Sequence, residues 1–600
     1  MSVAVANLGV LPEWDLKDLY ENAHSDQFVA DLKRARTEAH KFAQTYEGQL
    51  GALARGEGGG ERLAEAIRGY EGLDELLGRI GSYAQLFYVE DTTDPARSKF
   101  FGDTSQHLNE ITTGLLFFEL ELNRIDDEVI GKALKSATLR KYEPWITDLR
   151  RERPYQLDDR TEKLFHEKSL TCFSAWNRLF DETTASLRFK VDGNELTLEP
   201  TLNLLLDPNE AKRRSAAEAL AETFRGNLRL FTQITNTLAK DKEISDRWRG
   251  FKDVADARHL SNRVEPEVVA ALVSAVESSY ERLSHRYYAT KAKWFGKEKL
   301  DHWDRNAPVP FEDTRPVSWD EARETVLQAY GKFAPQMSQI AKRFFDRRWI
   351  DAPVRPGKAP GAFAHPTVPS VHPYVLMNYQ GKTRDVMTLA HELGHGVHQV
   401  LAAEQGPLLS RTPLTLAETA SVFGEMLTFQ SFLNKTSDPN KRKALLAQKV
   451  EDMLNTVVRQ IAFYSFERKV HLERKAGELT AERLGMIWLE VQGQSLGPSI
   501  RLGPGYETFW CYIPHFVHSP FYVYAYAFGD CLVNSLYARY REAQQGFAEK
   551  YFVMLKAGGS KDYKDLLKPF GLDASNPSFW QKGLALIEEF IVEIEALDKQ

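Results

Sequence analysis

Cysteine is scarce in this sequence, which contains only Cys172, Cys511 and Cys531 among 600 residues. Three scattered cysteines cannot form a disulfide framework, and their number is odd, so they favour a reducing compartment. The sequence also lacks an apolar run of about 18 residues, the length that a membrane-spanning helix needs. Its opening stretch, residues 1–10, has no basic region of the kind that begins a secretory signal. We therefore expect a soluble cytoplasmic protein that does not bind membranes.

A concentration of positive charge is missing as well. The 77 basic and 84 acidic residues give a net charge of −7, whereas a nucleic-acid-binding surface needs basic residues gathered on one face. We therefore expect no nucleic-acid partner. What the sequence does contain is 43% hydrophobic and 11% aromatic residues, which over this length can bury a large core divided between two or more lobes.

Apolar residues recur mostly at helical spacing. Pro266, for example, opens a segment with one apolar side, as proline does at the first position of a helix. Evidence for strands is confined to short pieces, such as residues 187–191 and 196–198, which alternate around Asp192 and Gly193 as a hairpin does. The sequence therefore predicts a mainly α fold with small β elements.

The most informative motif is the H-E-x-x-H run formed by His391, Glu392 and His395. Apolar residues at helical spacing predict a buried helix over residues 384–401. On a helix, residues four apart lie on one face, so the two histidines can bind one metal ion and Glu392 lies beside it, where a base is needed. The alternative is an ordinary amphipathic helix that has two histidines at this spacing by chance.

A third ligand must come from elsewhere, because Leu401 occupies the position of the third histidine in the longer three-histidine pattern. The best candidate is Glu418, which would complete a set of two histidines and one carboxylate with a position left open for water. However, Thr415 and Glu418 also have the spacing of a helix capping box, in which Glu418 would only satisfy backbone amides. Glu404 is a weaker rival ligand, and Glu425 shares a helical face with Glu418.

Several segments together resemble one family. The sequence is similar to oligoendopeptidase F of the thimet oligopeptidase family of zinc metallopeptidases over residues 11–20, 379–395, 417–425 and 515–526. The resemblance implies a two-lobed helical zinc peptidase with a deep substrate channel and small β elements near the active site. It also implies an amino-terminal helical lobe over residues 1–200 and a catalytic lobe over residues 201–600.

The resemblance also implies the roles of individual residues. Glu418 matches the third zinc ligand of the family, so one zinc ion would be held by His391, His395 and Glu418, with Glu392 activating the zinc-bound water. The implied activity is that of a metalloendopeptidase that hydrolyses internal bonds of short unfolded peptides. A dipeptidyl- or carboxypeptidase of the same fold and an inactive peptide-binding scaffold are the alternatives.

Two further segments are expected to contact substrate. The family places the run after His515 across the cleft from the metal, which makes Tyr522, Tyr526 and either His515 or His518 candidate hydrogen-bond donors to the reacting peptide, although such an aromatic run is also typical of a core. Residues 353–373 contain six prolines, which confines them to loops or a sheet edge where a peptide backbone could bind. A plain connecting loop is the alternative for that stretch.

Overall fold

The structure is a computed structural model that describes residues 8–169, 171–311 and 315–599. It is about 70% helical and has few, short strands, which confirms the prediction of a mainly α fold. In these ranges, none of the helices combines the length and the hydropathy that a membrane crossing requires. Residues 1–7, which belong to the opening stretch without a basic region, lie outside the described part of the chain.

The helices and strands have the following bounds. The helices before residue 200 are α1 (Asp26–Tyr46), α2 (Leu50–Arg55), α3 (Gly59–Val89), α4 (Pro95–Thr113), α5 (Leu116–Arg124), α6 (Asp127–Ala133), α7 (Ala137–Arg140), α8 (Glu143–Arg151), α9 (Asp159–Ser169) and α10 (Phe173–Ser186). The next are α11 (Leu198–Asn203), α12 (Glu210–Arg249), α13 (Asp256–Ser261), α14 (Pro266–Glu277), α15 (Arg286–Trp294), α16 (Trp319–Phe333), α17 (Pro335–Asp346), α18 (Thr383–Ala402), α19 (Leu414–Ala417) and α20 (Ser421–Lys435). The last are α21 (Pro439–Thr456), α22 (Val458–Ala476), α23 (Ala481–Leu496), α24 (His515–His518), α25 (Tyr524–Glu542), α26 (Phe547–Lys556), α27 (Tyr563–Leu567) and α28 (Pro577–Leu597). The strands are β1 (Phe189–Val191), β2 (Asn194–Leu196), β3 (Leu300–Asp301), β4 (Ile350–Asp351), β5 (Phe363–His365), β6 (Tyr374–Leu376) and β7 (Ile500–Arg501).

The chain divides into two compact units, and the first comprises Met1–Pro154, Thr314–Asn434 and Tyr540–Gly571. In this unit α3 packs against α1 and α4, and α18 packs against α16, α17 and α26. A three-stranded sheet has the order β4-β6-β5, with β6 parallel to β4 and antiparallel to β5. Strand β5 is therefore an edge strand, as the prolines around it predict.

The second unit comprises Tyr155–Asp313, Lys435–Arg539 and Leu572–Gln600. Its longest helix, α12, packs against α22 and against the 3₁₀-helix Tyr506–Tyr512, while α28 packs against α14 and α21. The predicted hairpin is confirmed: β1 and β2 pair in antiparallel register. The turn between them has positive φ at both Asp192 (51°) and Gly193 (83°), which is the backbone that a two-residue hairpin turn of type I′ requires.

Each unit thus combines three separate segments of the chain. The boundary near residue 200, between an amino-terminal lobe and a catalytic lobe, and the deep substrate channel stay predictions.

A second cluster of acidic residues, in the second unit, resembles a metal site but is paired with a lysine. Glu210, Asp301 and Asp304 lie close together, but Lys297 Nζ is 2.6 Å from Glu210 Oε1 and 2.7 Å from Asp304 Oδ2. The cluster is therefore an internal ion-pair network.

Candidate active site

The H-E-x-x-H motif lies on α18, which spans Thr383–Ala402 and confirms the helix predicted over residues 384–401. Asp385 defines the start of the helix, because its Oδ2 accepts hydrogen bonds from the backbone N–H groups of Gln380 (2.8 Å) and Lys382 (3.0 Å). The apolar face of α18, including Leu389 and Leu393, is fully buried. Burial of this face leaves the histidine face directed toward α19 and α20.

Glycine residues bring the candidate third ligand close to α18. A Cβ atom at Gly394 would lie 2.6 Å from the Cα atom of Ser421, so only a glycine permits this approach of the chain. On the adjacent turn, the hydroxyl group of the buried Tyr330 donates a hydrogen bond to the carbonyl oxygen of Ala390, and Gly424 packs against the same tyrosine. This close packing places Glu418 opposite the two histidines.

His391, His395 and Glu418 form one group whose ligand atoms all lie within 4.8 Å of one another. Glu418 Oε2 is 3.3 Å from His391 Nε2 and 3.4 Å from His395 Nε2. Ser421 Oγ donates a 2.6 Å hydrogen bond to the same oxygen and so orients the carboxylate. Two imidazole nitrogens and one carboxylate are the protein ligands typical of a catalytic zinc site.

The capping-box alternative for Glu418 is wrong. Thr415 lies inside the short helix α19 instead of preceding α20, and Glu418 is the residue that ends α19. The Thr415 hydroxyl is buried without a hydrogen-bond partner among the described residues, whereas a capping box requires it to accept from a backbone amide. The rival ligand Glu404 lies 3.8 Å from Lys556 Nζ and is not part of the histidine group.

The protonation states of the group follow from burial and from its mutual contacts. Burial opposes ionisation of Glu418. Its hydrogen bond with His391 and the charges of His395 and His391 nevertheless lower its pKa to about 2. Burial lowers the pKa of His395 to about 4. Burial would also lower the pKa of His391, but its hydrogen bonds with Glu418 and Glu425 hold that pKa well above the ordinary value.

Glu425 makes a contact whose importance the sequence did not reveal. Its Oε2 is 3.2 Å from His391 Nδ1, the ring nitrogen that does not face Glu418. A carboxylate in this position fixes both the tautomer and the ring orientation of a histidine ligand. The only signal in the sequence was the seven-residue separation from Glu418, which places both residues on one helical face.

The candidate base Glu392 is buried, with 7% of its surface exposed, and its burial raises its pKa to about 7. It lies beside the edge strand β5. The backbone N–H of Ala364 partly offsets the effect of burial on the pKa of Glu392, and the carbonyl oxygen of Ala364 accepts a 3.2 Å hydrogen bond from Gln399 Nε2. The predicted small β elements therefore lie next to α18.

The aromatic run belongs to the second unit, where the structure brings three of its four candidate residues together. His515 Nε2 is 3.2 Å from the hydroxyl oxygen of Tyr526, and the rings of Tyr522 and Tyr526 have centroids 5.3 Å apart. His518 is directed elsewhere, because its Nε2 lies 2.8 Å from Asp181 Oδ1 in α10.

The loop that leads to Tyr522 is held by a buried carboxyl group that the sequence analysis missed. Phe521 has φ of 61°, a left-handed backbone that a bulky residue adopts only when its surroundings impose it. Its N–H donates a 2.8 Å hydrogen bond to Glu467 Oε1, and Glu467 is only 2% exposed. Arg258 Nε donates to the carbonyl oxygen of Pro520 at 3.1 Å on the other side of the loop.

Comparison with known proteins gives a consistent result. The family model described as peptidase family M3 matches residues 203–586, and the model described as oligopeptidase F matches residues 121–189. Oligopeptidase PepF of Bacillus subtilis is 26% identical over 595 residues, covering 97% of this chain and 87% of that protein. The oligoendopeptidase F homolog of Lactococcus lactis subsp. lactis is 25% identical and covers 97% of both chains.

Solved structures show the same fold. A crystal structure from Chlamydophila abortus superimposes with a TM-score of 0.85 at 22% identity and covers 97% of this chain and 98% of that chain. The crystal structure of oligoendopeptidase-F from Enterococcus faecium has a TM-score of 0.72, also at 22% identity, and covers 96% of this chain and 99% of that chain.

Proposed function

We propose, on the premise that the chain belongs to peptidase family M3 and is a metallo-oligopeptidase, that it uses one zinc ion to hydrolyse internal bonds of short unfolded peptides. The observation that carries the proposal is the group of His391, His395 and Glu418 beside the buried Glu392. A structural zinc site normally has four protein ligands, whereas a catalytic site has three. A buried acid beside three such ligands serves as a base.

The ionisation states of these three side chains, as well as their chemical types, suit a zinc ion. Metal binding needs ionised carboxylates and neutral imidazoles. Glu418 is ionised at neutral pH and His395 is neutral, as their pKa values of about 2 and about 4 require. Glu418 and Glu425 both contact His391 and favour a positive charge there, which a bound cation would supply. When bound, zinc supplies Lewis-acid chemistry that lowers the pKa of water from about 15.7 toward ~7 and polarises a carbonyl group.

Glu392 performs the proton transfers in this mechanism. Its carboxylate accepts a proton from the attacking water as that water forms a bond to the scissile carbonyl carbon. It then gives the proton to the leaving nitrogen as the C–N bond breaks. A pKa of about 7, raised by burial, makes both the charged and the neutral form accessible at neutral pH. The backbone N–H of Ala364 favours the ionised form of the carboxylate.

His515, Tyr522 and Tyr526 are proposed to donate hydrogen bonds to the substrate backbone and to the oxygen on which negative charge develops. The hydrogen bond between His515 and Tyr526 supports His515 as the histidine of this group. The contact of His518 with Asp181 supports a structural role for that second histidine. Hydroxyl groups aimed at a developing oxyanion stabilise the transition state more than the bound substrate.

Tyr526→Phe tests the donor role directly, because it removes only a hydroxyl group. We expect turnover to fall about 100- to 1,000-fold, the usual effect of losing one oxyanion donor, with zinc content unchanged. Tyr524→Phe is the control, because the Tyr524 hydroxyl accepts a 2.8 Å hydrogen bond from Asn262 inside the core. The control should lose about 1 kcal/mol of stability and keep its turnover. Near-normal turnover of folded Tyr526→Phe would assign Tyr526 to the core.

Glu425→Ala should weaken zinc binding about 10- to 100-fold, the range for partners that orient a metal-ligating histidine. Glu425→Gln should lose less, because its amide oxygen can still accept a hydrogen bond from His391 Nδ1. Competition for zinc with a chromophoric chelator measures both affinities. Equal affinity of Glu425→Ala and the unchanged protein would show that Glu425 does not support the site.

A metal analysis combined with a peptide-library digest tests the function as a whole. About one zinc per chain and products cut at internal bonds are the expected results. Products that are always dipeptides or single carboxy-terminal residues would replace the proposal with the dipeptidyl- or carboxypeptidase alternative, and intact peptides would favour the inactive scaffold. We also propose a cytoplasmic location, which the three unpaired cysteines support.

A further inference from the structure

The edge strand β5 has one residue whose backbone groups point away from the sheet. In β6, the N–H of Val375 donates to the Trp349 carbonyl oxygen at 2.9 Å, on the side of β4. Successive residues of a strand direct their backbone groups to opposite sides, so the neighbours of Val375 face β5, where their partners are Phe363 and His365. Ala364 lies between these two and therefore directs its N–H and its carbonyl group outward.

The outward carbonyl group of Ala364 is already occupied by a side chain of α18. Gln399 Nε2 donates a 3.2 Å hydrogen bond to it. His391, His395 and Gln399 follow one another at intervals of four residues and so share one face of the helix. All three are partly exposed, whereas residues 392–394 and 396–398 between them are buried. The face that carries the two histidines therefore also carries the residue that occupies β5.

The amide group of Gln399 is only half satisfied at this position. Its Oε1 atom is buried and has no hydrogen-bond partner among the residues that the structure describes. A buried oxygen without a partner costs free energy that contact with water would recover. Because the side chain is partly exposed, it can rotate toward solvent. Strand β5 does not depend on the contact, since it stays paired with β6 along its whole length.

We propose that Gln399 limits the affinity for peptides by occupying the edge of β5, and that an extended peptide backbone binds to Ala364 only when Gln399 withdraws. This inference deepens the proposed function and rests on it. A peptide that adds to a sheet edge forms backbone hydrogen bonds with it, and the Gln399 amide N–H takes the place of the peptide N–H. Pro366, two residues further on, has no N–H to offer instead.

Competition of this kind has a consequence opposite to that of a structural contact. When only part of a protein population can bind a ligand, the apparent affinity falls in proportion to the competent fraction. Removal of the Gln399 amide frees the Ala364 carbonyl group in every molecule, so it should strengthen peptide binding. If Gln399 only supported β5, its removal would instead weaken binding or leave it unchanged.

Gln399→Ala should bind a peptide about 2- to 10-fold more tightly than the unchanged protein, the range for one neutral hydrogen bond. Gln399→Asn should show the same gain, because its side chain is one methylene shorter and its amide cannot reach Ala364. The probe is a short fluorescein-labelled peptide of alanine, valine and lysine. Anisotropy titrations with chelator-treated protein give the dissociation constants without turnover, and melting temperature shows that each variant is folded.

Gln405→Ala is the matched control. Gln405 is also partly exposed and also donates one hydrogen bond to a backbone carbonyl group, that of Lys556 in α26, at 2.8 Å. This variant should keep the peptide affinity of the unchanged protein. An equal gain in Gln405→Ala would overturn the proposal, as would peptide binding by both Gln399 variants that is no tighter than that of the unchanged protein, including no binding at all.

A scan of the peptide locates the hydrogen bond that Gln399 prevents. Each backbone N–H is replaced in turn by an N-methyl group, which cannot donate. One position should abolish the gain of Gln399→Ala and should have a smaller effect on the unchanged protein, where Gln399 occupies the carbonyl group. A gain that survives N-methylation at every position would exclude backbone pairing with Ala364 as its cause and so overturn the proposal.

Binding and hydrolysis together separate this proposal from the proposed function. In the zinc-loaded enzyme, KM of Gln399→Ala should fall by the same factor as the dissociation constant. A gain in affinity without hydrolysis of any peptide supports the role of Gln399 and contradicts the peptidase function. Hydrolysis by both proteins with equal KM and equal dissociation constants overturns the role of Gln399 and leaves the peptidase function intact.

Discussion

Glu392→Gln is expected to bind zinc normally and to lose turnover by at least about 100- to 10,000-fold, the contribution typical of a general base. The substitution keeps the size of the side chain and removes its ability to accept a proton. Glu392 is not among the three residues that could hold the metal, so metal content should not change. Zinc per chain and kcat on a quenched peptide are the two measurements.

The control for this variant is Glu404→Gln, on the 3₁₀-helix that follows α18. Glu404 lies 3.8 Å from Lys556 and outside the histidine group. The Glu404→Gln variant should therefore turn over peptide as fast as the unchanged enzyme. Substantial turnover by a zinc-loaded Glu392→Gln variant would contradict the assignment of Glu392 as the general base. Loss of zinc from this variant would instead make Glu392 a ligand.

Glu418→Ala should lose zinc, and with it all measurable peptide hydrolysis. The Glu418 carboxylate is the only acidic contributor to the three-residue group, and two histidines alone form an incomplete site. Glu418→Gln should also bind zinc much more weakly, because a neutral amide oxygen replaces a charged one. Loss of a helix cap alone would cost only about 0.5–2 kcal/mol of stability and would leave the metal in place.

Dialysis against a chelator series, followed by metal analysis, distinguishes the two roles of Glu418. Ser421→Ala is an informative companion, since it removes the 2.6 Å hydrogen bond that orients the carboxylate but leaves the ligand. We expect it to bind zinc about 10-fold more weakly than the unchanged protein. Full zinc occupancy in Glu418→Ala would contradict the assignment of Glu418 as a ligand and would require another one.

Local patterns predicted much of the fold and part of the site. Apolar spacing predicted α18 to within a residue or two of its observed bounds, because the burial of one helical face repeats along the chain every 3.6 residues. The same spacing placed His391 and His395 on one face. The turn at Asp192 and Gly193 could also be predicted from the sequence, because only a few residue types adopt positive φ at two successive positions.

Contacts between distant segments could not be predicted from local sequence patterns. Spacing left Glu418 undecided between a cap and a ligand, and the packing of the 420–421 backbone against Gly394 placed it opposite the histidines. Likewise, His515 and His518 lie three residues apart on one short helix, yet one contacts Tyr526 and the other contacts Asp181.

The sequence by itself thus determined the helical class of the fold, the helix around residues 384–401, the pair of histidines on it and the adjacent acid, since each depends on neighbours within about one helical turn. The tertiary structure alone decided which carboxylate lies beside the two histidines of the motif, which of His515 and His518 contacts Tyr526, and that the buried Glu467 holds Phe521. The physical reason is that these arrangements depend on which distant surfaces pack closely, and close packing is a property of the whole core.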